Sequence, residues 1–141
     1  MSVYVVDASV ATKWFITEPH AAAALSLLEG NNELHVPDFF LLELDNVVCK
    51  WIRRGVITNV EGDETRSALG RIPFHTHSSA GLRDPAYAIA NETGCTFYDC
   101  LYVALAILLG AQMVTADQRL YNALPNGPFA EHVLWVEDVP R

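Results

Sequence analysis

The chain has 141 residues, 51% hydrophobic and 18% charged. This is a globular composition, long enough to bury a core, and it argues against a disordered protein. Seventeen acidic residues against nine basic ones give a formal net charge of −8. That counts against tight, non-specific binding of nucleic acid by the bare chain, but not against a nuclease whose clustered acids are neutralised by a metal.

Cys49, Cys95 and Cys100 are odd in number and irregularly spaced, so neither a disulfide framework nor a zinc site is expected. Cys49 lies in an apolar helical pattern and is expected to be a buried free thiol. The first ten residues contain no Lys or Arg, unlike a secretory signal. The longest apolar run, 100–111, is too short to span a bilayer. The expectation is one domain, residues 1–141, in the cytoplasm and away from the membrane.

Tyr4-Val5-Val6 is a short apolar strand without alternation, as in a parallel sheet covered on both faces. It ends at Asp7. Residues 9–16 read as a short helix with Ser9 as a possible N-cap, and a second helix spans 20–29 up to Gly30. Residues 34–36 form the next strand. A long helix covers 39–54, with Asp38 as a candidate cap, apolar residues at helical spacing and Gly55 as its stop. Another runs over 59–69 to Gly70. A third strand is expected over 72–76, a helix within 81–93, and the most apolar helix over 96–109. Thr96 caps that helix, and Asp99 stands in its first turn as in a capping box. A strand over 113–116 ends at Asp117. A short helix, 118–123, a turn at 125–128 and a last strand, 133–136, complete the chain. Strands alternate with helices throughout, which is the pattern of a mostly parallel sheet with helices on both faces.

Four acids hold special positions. Asp7 and Asp117 end strands, Asp99 opens an apolar helix, and Glu43 stands in the first turns of another helix among Phe and Leu. In a parallel sheet, strand carboxyl ends and the N-termini of following helices share one edge, where open α/β sheets place their ligands. Asp7, Asp117 and Asp99 also read as simple caps. Glu43 does not, because a buried carboxylate without a partner is costly. Two like charges about 5 Å apart cost about 3 kcal/mol at an effective dielectric of about 20, so converging acids call for a cation. An all-oxygen donor set selects Mg²⁺ or Mn²⁺, and such a site suits phosphate ester hydrolysis. By strand alternation Thr115 faces the same way as Asp117. Its hydroxyl and that of Ser9 can hold a carboxylate or a bound water. Lys13 and Arg119 are candidates for a substrate phosphate, or else solvated charges; Arg53, Arg54 and Arg83 are weaker ones. His75 and His77 share one strand face, with no third metal ligand apparent. Trp14, Phe15, Leu25 and Leu28 are core or a partner-binding surface.

The stretches Val-Val-Asp7-Ala-Ser-Val-Ala-Thr-Lys-Trp-Phe, Leu-Leu-Glu43-Leu-Asp-Asn-Val-Val, Phe-Tyr-Asp99-Cys-Leu-Tyr-Val-Ala-Leu-Ala and Val-Thr-Ala-Asp117-Gln-Arg-Leu together resemble a PIN domain. They span residues 5–120 in the family's order, each in its expected strand or helix context. The size and the Ser-Val-Ala-Thr-Lys-Trp-Phe segment are similar to VapC toxins of toxin–antitoxin pairs. The resemblance implies a three-layer α/β/α sandwich with a parallel five-stranded sheet. It further implies Mg²⁺- or Mn²⁺-dependent endoribonuclease activity on RNA, with transfer RNA as one substrate class, an antitoxin partner and a homodimer. It places metal-binding, catalytic acids at Asp7, Glu43, Asp99 and Asp117, supported by Thr115. On this expectation Asp7, Asp99 and Asp117 hold the ion, and Glu43 binds through water or orients the attacking water.

Two other readings remain. One is a PIN nuclease of RNA processing rather than a toxin. The other is a receiver-like acidic signalling or binding domain, but that needs paired acids after the first strand and a Lys after the last. Ala8 follows Asp7, and no Lys lies beyond Lys50.

Overall fold

The computed structural model describes residues 1–124 and 127–141. Its centre is β1 (Ser2–Val6), whose Tyr4, Val5 and Val6 are buried. β2 (Asn32–Pro37) and β3 (His75–His77) extend the sheet on one side of β1, and β4 (Gln112–Thr115) and β5 (Val133–Trp135) on the other. The order is β3-β2-β1-β4-β5, and every pairing is parallel. Parallel neighbours need crossover connections, so helices cover both faces. The resulting three-layer α/β sandwich is the expected fold class.

The chain builds outward from β1 in one direction through β2 and β3, then returns to β1's other side with β4. The crevice between β1 and β4 is therefore the topological switch point, where such sheets open for ligands. Val6 is in register with Val114, and the ladder extends one step further, because Asp7 N–H donates to Val114 O at 3.1 Å.

Among the described residues seven α-helices follow in order: α1 (Ala8–Ala11), α2 (Ala21–Glu29), α3 (Phe40–Arg53), α4 (Asn59–Arg71), α5 (Arg83–Thr93), α6 (Phe97–Leu109) and α7 (Gln118–Ala123). α6 is the core helix, with every residue from Cys100 to Ala106 buried. Its start is fixed by Thr96, whose hydroxyl accepts from Asp99 N–H at 3.2 Å. Gly94 ends α5 at φ 75° and Gly110 ends α6 at φ 62°. Both are left-handed conformations that glycine adopts without a Cβ clash. The turn at Gly94 is what brings Thr96 and Asp99 to the sheet's carboxyl edge. No single helix among the described residues is long and apolar enough to cross a membrane.

Several expectations change. The helix expected over 9–16 is α1 followed by a 3-10 turn, Thr12–Trp14. Ser9 is not its N-cap: Asp7 holds that position, and Ser9 lies inside the helix with its hydroxyl on Asp7. α2 begins one residue late because His20 is left-handed, at φ 72°. Asp38 does not cap α3. Its carboxylate accepts instead from the Ser79 N–H at 3.2 Å and from the Ser79 hydroxyl.

α4 runs through Gly70 to Arg71, and its start carries a capping box between Thr58 and Glu61 that the sequence reading did not use. β3 is three residues rather than five: Pro73 has no N–H to donate, and pairing begins beyond it, at His75. Cys49 is exposed, because the buried stripe of α3 is Phe40, Leu44 and Val48, and Cys49 lies about 100° round the helix from Val48. Trp14 is core, its Nε1–H donating to Ala24 O at 2.8 Å, and Phe15, Leu25 and Leu28 pack against that core half-buried. The expected turn at Pro125-Asn126 lies outside the described residues.

Candidate active site

Asp7 is the deepest of the four acids, only 6% exposed. One carboxylate oxygen, Oδ2, accepts from Ser9 Oγ–H at 2.6 Å and from Thr115 Oγ1–H at 2.9 Å. Each hydroxyl is in turn held by the backbone that leaves β4: Ala116 N–H donates to Ser9 Oγ at 3.0 Å, and Asp117 N–H to Thr115 Oγ1 at 3.1 Å. This chain of bonds ties the ends of β1 and β4 together across the switch point. Both hydroxyls aim their hydrogens at a single oxygen.

Asp117 does cap α7, and only with one oxygen. Oδ1 accepts from Arg119 N–H at 3.0 Å and Leu120 N–H at 3.2 Å. Glu43 is half-buried in the first turn of α3, and its Oε1 accepts from Tyr102 Oη–H at 2.7 Å. In all three residues one carboxylate oxygen is anchored, and the other has no hydrogen bond among the described residues. Such anchoring fixes orientation while leaving an acceptor for a cation or water.

The fields of the four acids overlap. Burial pushes the Asp7 carboxyl up to about 6, against the lowering effect of Ser9 and Thr115, and the charges of Asp99 and Glu43 add to the rise. Glu43 is raised by burial and by Asp99, with Tyr102 opposing. Asp99 is raised by burial and by the charge of Asp117, and is lowered by the Thr96 hydroxyl and by Arg119. No Lys or Arg forms an ion pair with any of the four among the described residues.

This donor set fits a hard divalent cation: it is all oxygen, negatively charged and, among the described residues, ion-paired to no Lys or Arg, although the charge of Arg119 reaches Asp99. The acids do face one another at long spacing. Among the described residues a three-ligand cluster within 4.8 Å is reached by Glu33, His35 and His75, not by any three of these acids. An ion shared by the acids therefore requires rotation of their free oxygens or bridging water.

Arg119, exposed on α7, lines a surface cleft with Asp99, Thr96 and Leu120. Lys13 instead pairs with Glu18 at 3.1 Å. Tyr102 is the residue the sequence reading missed. It stands three positions after Asp99, on the same side of α6, and that spacing was the available signal. Deep burial and the neighbouring charges of Glu43 and Asp7 drive its pKa upward, so its hydroxyl stays a donor.

Residues 4–123 match the family model described as PIN domain. The chain belongs to the PIN-domain family. Ribonuclease VapC3 of Pyrobaculum aerophilum is 32% identical over 123 residues, covering 86% of this chain and 94% of that protein. Among solved structures, PAE2754 of Pyrobaculum aerophilum superposes with a TM-score of 0.70 at 24% identity, covering 96% of this chain and 85% of that one. A toxin–antitoxin complex from Klebsiella pneumoniae gives a TM-score of 0.65 at 17% identity, covering 93% and 95%. These likenesses carry the PIN fold. Asp7, Glu43, Thr115 and Asp117 of this PIN domain lie at the sheet edge that the switch point opens.

Proposed function

We propose that this chain, residues 1–141, is one PIN-like domain acting as a Mg²⁺- or Mn²⁺-dependent endoribonuclease. We further propose that it is the toxin of a toxin–antitoxin pair, active in the cytoplasm as a homodimer and restrained by an antitoxin protein. The observation that carries this reading is the set of four carboxylates from four separate elements. They are electrostatically coupled, have no basic side chain ion-paired to them among the described residues, and stand where β1 and β4 diverge. The VapC naming of the Pyrobaculum relative supports the choice of RNA as substrate, and the Klebsiella complex supports an antitoxin partner.

Asp7, Asp99 and Asp117 would hold the ion, with the Asp7 and Asp117 oxygens that make no hydrogen bond free to do so. When bound, a divalent ion lowers the pKa of water and neutralises charge growing on phosphoryl oxygens. Glu43, fixed through Oε1 by Tyr102, offers Oε2 to orient the attacking water and accept its proton. Its raised pKa brings a carboxylate nearer the operating pH for that task. The water oxygen bonds to phosphorus as the P–O3′ bond breaks in line, and the departing O3′ takes a proton from solvent, leaving a 3′-hydroxyl and a 5′-phosphate. Ser9 and Thr115 keep Asp7 in one rotamer throughout. Arg119, beside Asp99, binds a flanking phosphate. Structured RNA such as transfer RNA is the substrate class.

Purified protein should cut a structured RNA in Mg²⁺ or Mn²⁺ and not in excess chelator. Asp7→Asn or Asp99→Asn should reduce cleavage more than about 100-fold, with an unchanged circular dichroism spectrum. Cleavage by both variants at the parental rate would remove the mechanism.

A further inference from the structure

β2 and β3 place a second group of donors on the sheet, apart from the acid cup. The register pairs His35 with His75 and Pro37 with His77, and alternation puts Glu33 and His35 on one face of β2. His35 Nε2 lies 2.9 Å from Glu33 Oε1, and His75 Nε2 lies 3.9 Å from the same oxygen. The His35 and His75 rings stack with centroids 4.5 Å apart. One ligand atom from each of Glu33, His35 and His75 falls within a 4.8 Å cluster. We propose that Glu33, His35 and His75 form a second metal site, for a borderline transition ion of the Zn²⁺ class.

The donor chemistry separates this site from the acids. Two imidazoles and a carboxylate are a recognised three-ligand set for Zn²⁺, which leaves a fourth position to water. Mg²⁺ prefers oxygen alone. With metal–ligand bonds of about 2.0 Å, tetrahedral ligands stand about 3.3 Å apart. The two contacts of Glu33 lie on either side of that distance. His75 lies on the edge strand and is half-exposed, and Glu33 is also open to solvent. Glu33 has no Lys or Arg partner among the described residues.

His77 supplies what a ligating imidazole needs on its far side. His35 Nδ1 and His77 Nε2 are 2.8 Å apart. For His35 Nε2 to present a lone pair, the ring proton must sit on Nδ1, where His77 Nε2 accepts it. Metal-bound histidines are oriented in this way by a second partner. An ion here would fasten the three-residue edge strand β3 to β2.

The simpler account is a hydrogen-bond network that satisfies a buried His35, and it predicts no ion. The test uses the Asp7→Asn/Asp99→Asn double variant, which silences the acid cup, titrated with ZnCl₂ by calorimetry and with CoCl₂ by visible absorption. One Zn²⁺ per chain is expected, undisturbed by millimolar Mg²⁺, with Co²⁺ bands typical of nitrogen and oxygen ligation. Adding His75→Ala, an exposed change that spares the core, should weaken Zn²⁺ at least about tenfold and abolish the Co²⁺ bands. Glu33→Gln should act in the same direction. No stoichiometric Zn²⁺ binding, or equal affinity with and without His75, would overturn the proposal.

Discussion

The acid cup and the histidine cluster sit on the same sheet and solve opposite problems. The cup stands where two central strands part, and its buried Asp7 is held by hydroxyls donating to one oxygen. The cluster stands toward the edge strand, where His35 is buried with both ring nitrogens engaged. In the cup, like charges face one another and raise the pKa values of Asp7, Glu43 and Asp99. In the cluster, burial, with His35 and His75 adding to it, holds His77 below its ordinary value, and Glu33 is lowered by its bond to His35. One site is therefore short of positive charge. The other balances a carboxylate against imidazoles. The difference teaches that one sheet can present two donor sets, one all oxygen and one mixed nitrogen and oxygen, whose ligand types select different metals.

The largest effect expected from this contrast is a crossed pair of knockouts. Asp99→Asn should remove RNA cleavage and leave Zn²⁺ binding intact, while His75→Ala should leave cleavage within about twofold and weaken Zn²⁺ at least about tenfold. Loss of cleavage in both would mean that the two regions are one site.

Next comes pH. The Asp7 carboxyl rises from 3.8 to about 6 on folding. A raised carboxyl favours the folded state at low pH. That contribution is complete below its unfolded pKa and is lost as pH climbs through about 6, amounting to about 3 kcal/mol. In metal-free buffer, Asp7→Asn should therefore gain stability over the parent at pH 8 and show little difference at pH 4, measured by urea unfolding. The lowered pKa of His77 acts with the opposite sign: its contribution is present above the ordinary His pKa and is lost as pH falls. A parent curve without this bowed shape would break the comparison.

Tyr102→Phe is a smaller change. It removes the bond that lowers the Glu43 pKa, so the acid limb of the cleavage pH profile should move upward and kcat should fall about tenfold. A lower rate with an unmoved limb would assign Tyr102 to packing alone. Ser9→Ala should be mildest, costing about 2 kcal/mol for two lost hydrogen bonds, Ser9 Oγ–H to Asp7 and Ala116 N–H to Ser9 Oγ, while pushing the Asp7 pKa higher still. Thermal unfolding with NMR titration of Asp7 would read both.

The four acids and their elements were legible because each sits at a punctuation point: a strand end, or the first turn of an apolar helix. Thr96 and Gly110 marked α6 at both ends for the same local reason. The errors fell where tertiary partners took over. Ser9 and Asp38 have capping chemistry, but Asp7 and Ser79 claimed their polar atoms. Cys49 followed an apolar pattern whose buried face turned out narrower, ending at Phe40, Leu44 and Val48. Tyr102 and the third ligand beside His75 stayed hidden because each needed a neighbour far along the chain, Glu43 in one case and Glu33 with His35 in the other.

By itself the sequence determined the alternation of strands and helices and the inventory of carboxylates at their junctions. Both follow from local periodicity and turn chemistry. The strand order β3-β2-β1-β4-β5 was left to the tertiary structure. That order sets Asp7 beside Thr115 and Glu33 beside His75, because lateral neighbours in a parallel sheet are chosen by packing across long crossovers rather than by adjacent residues.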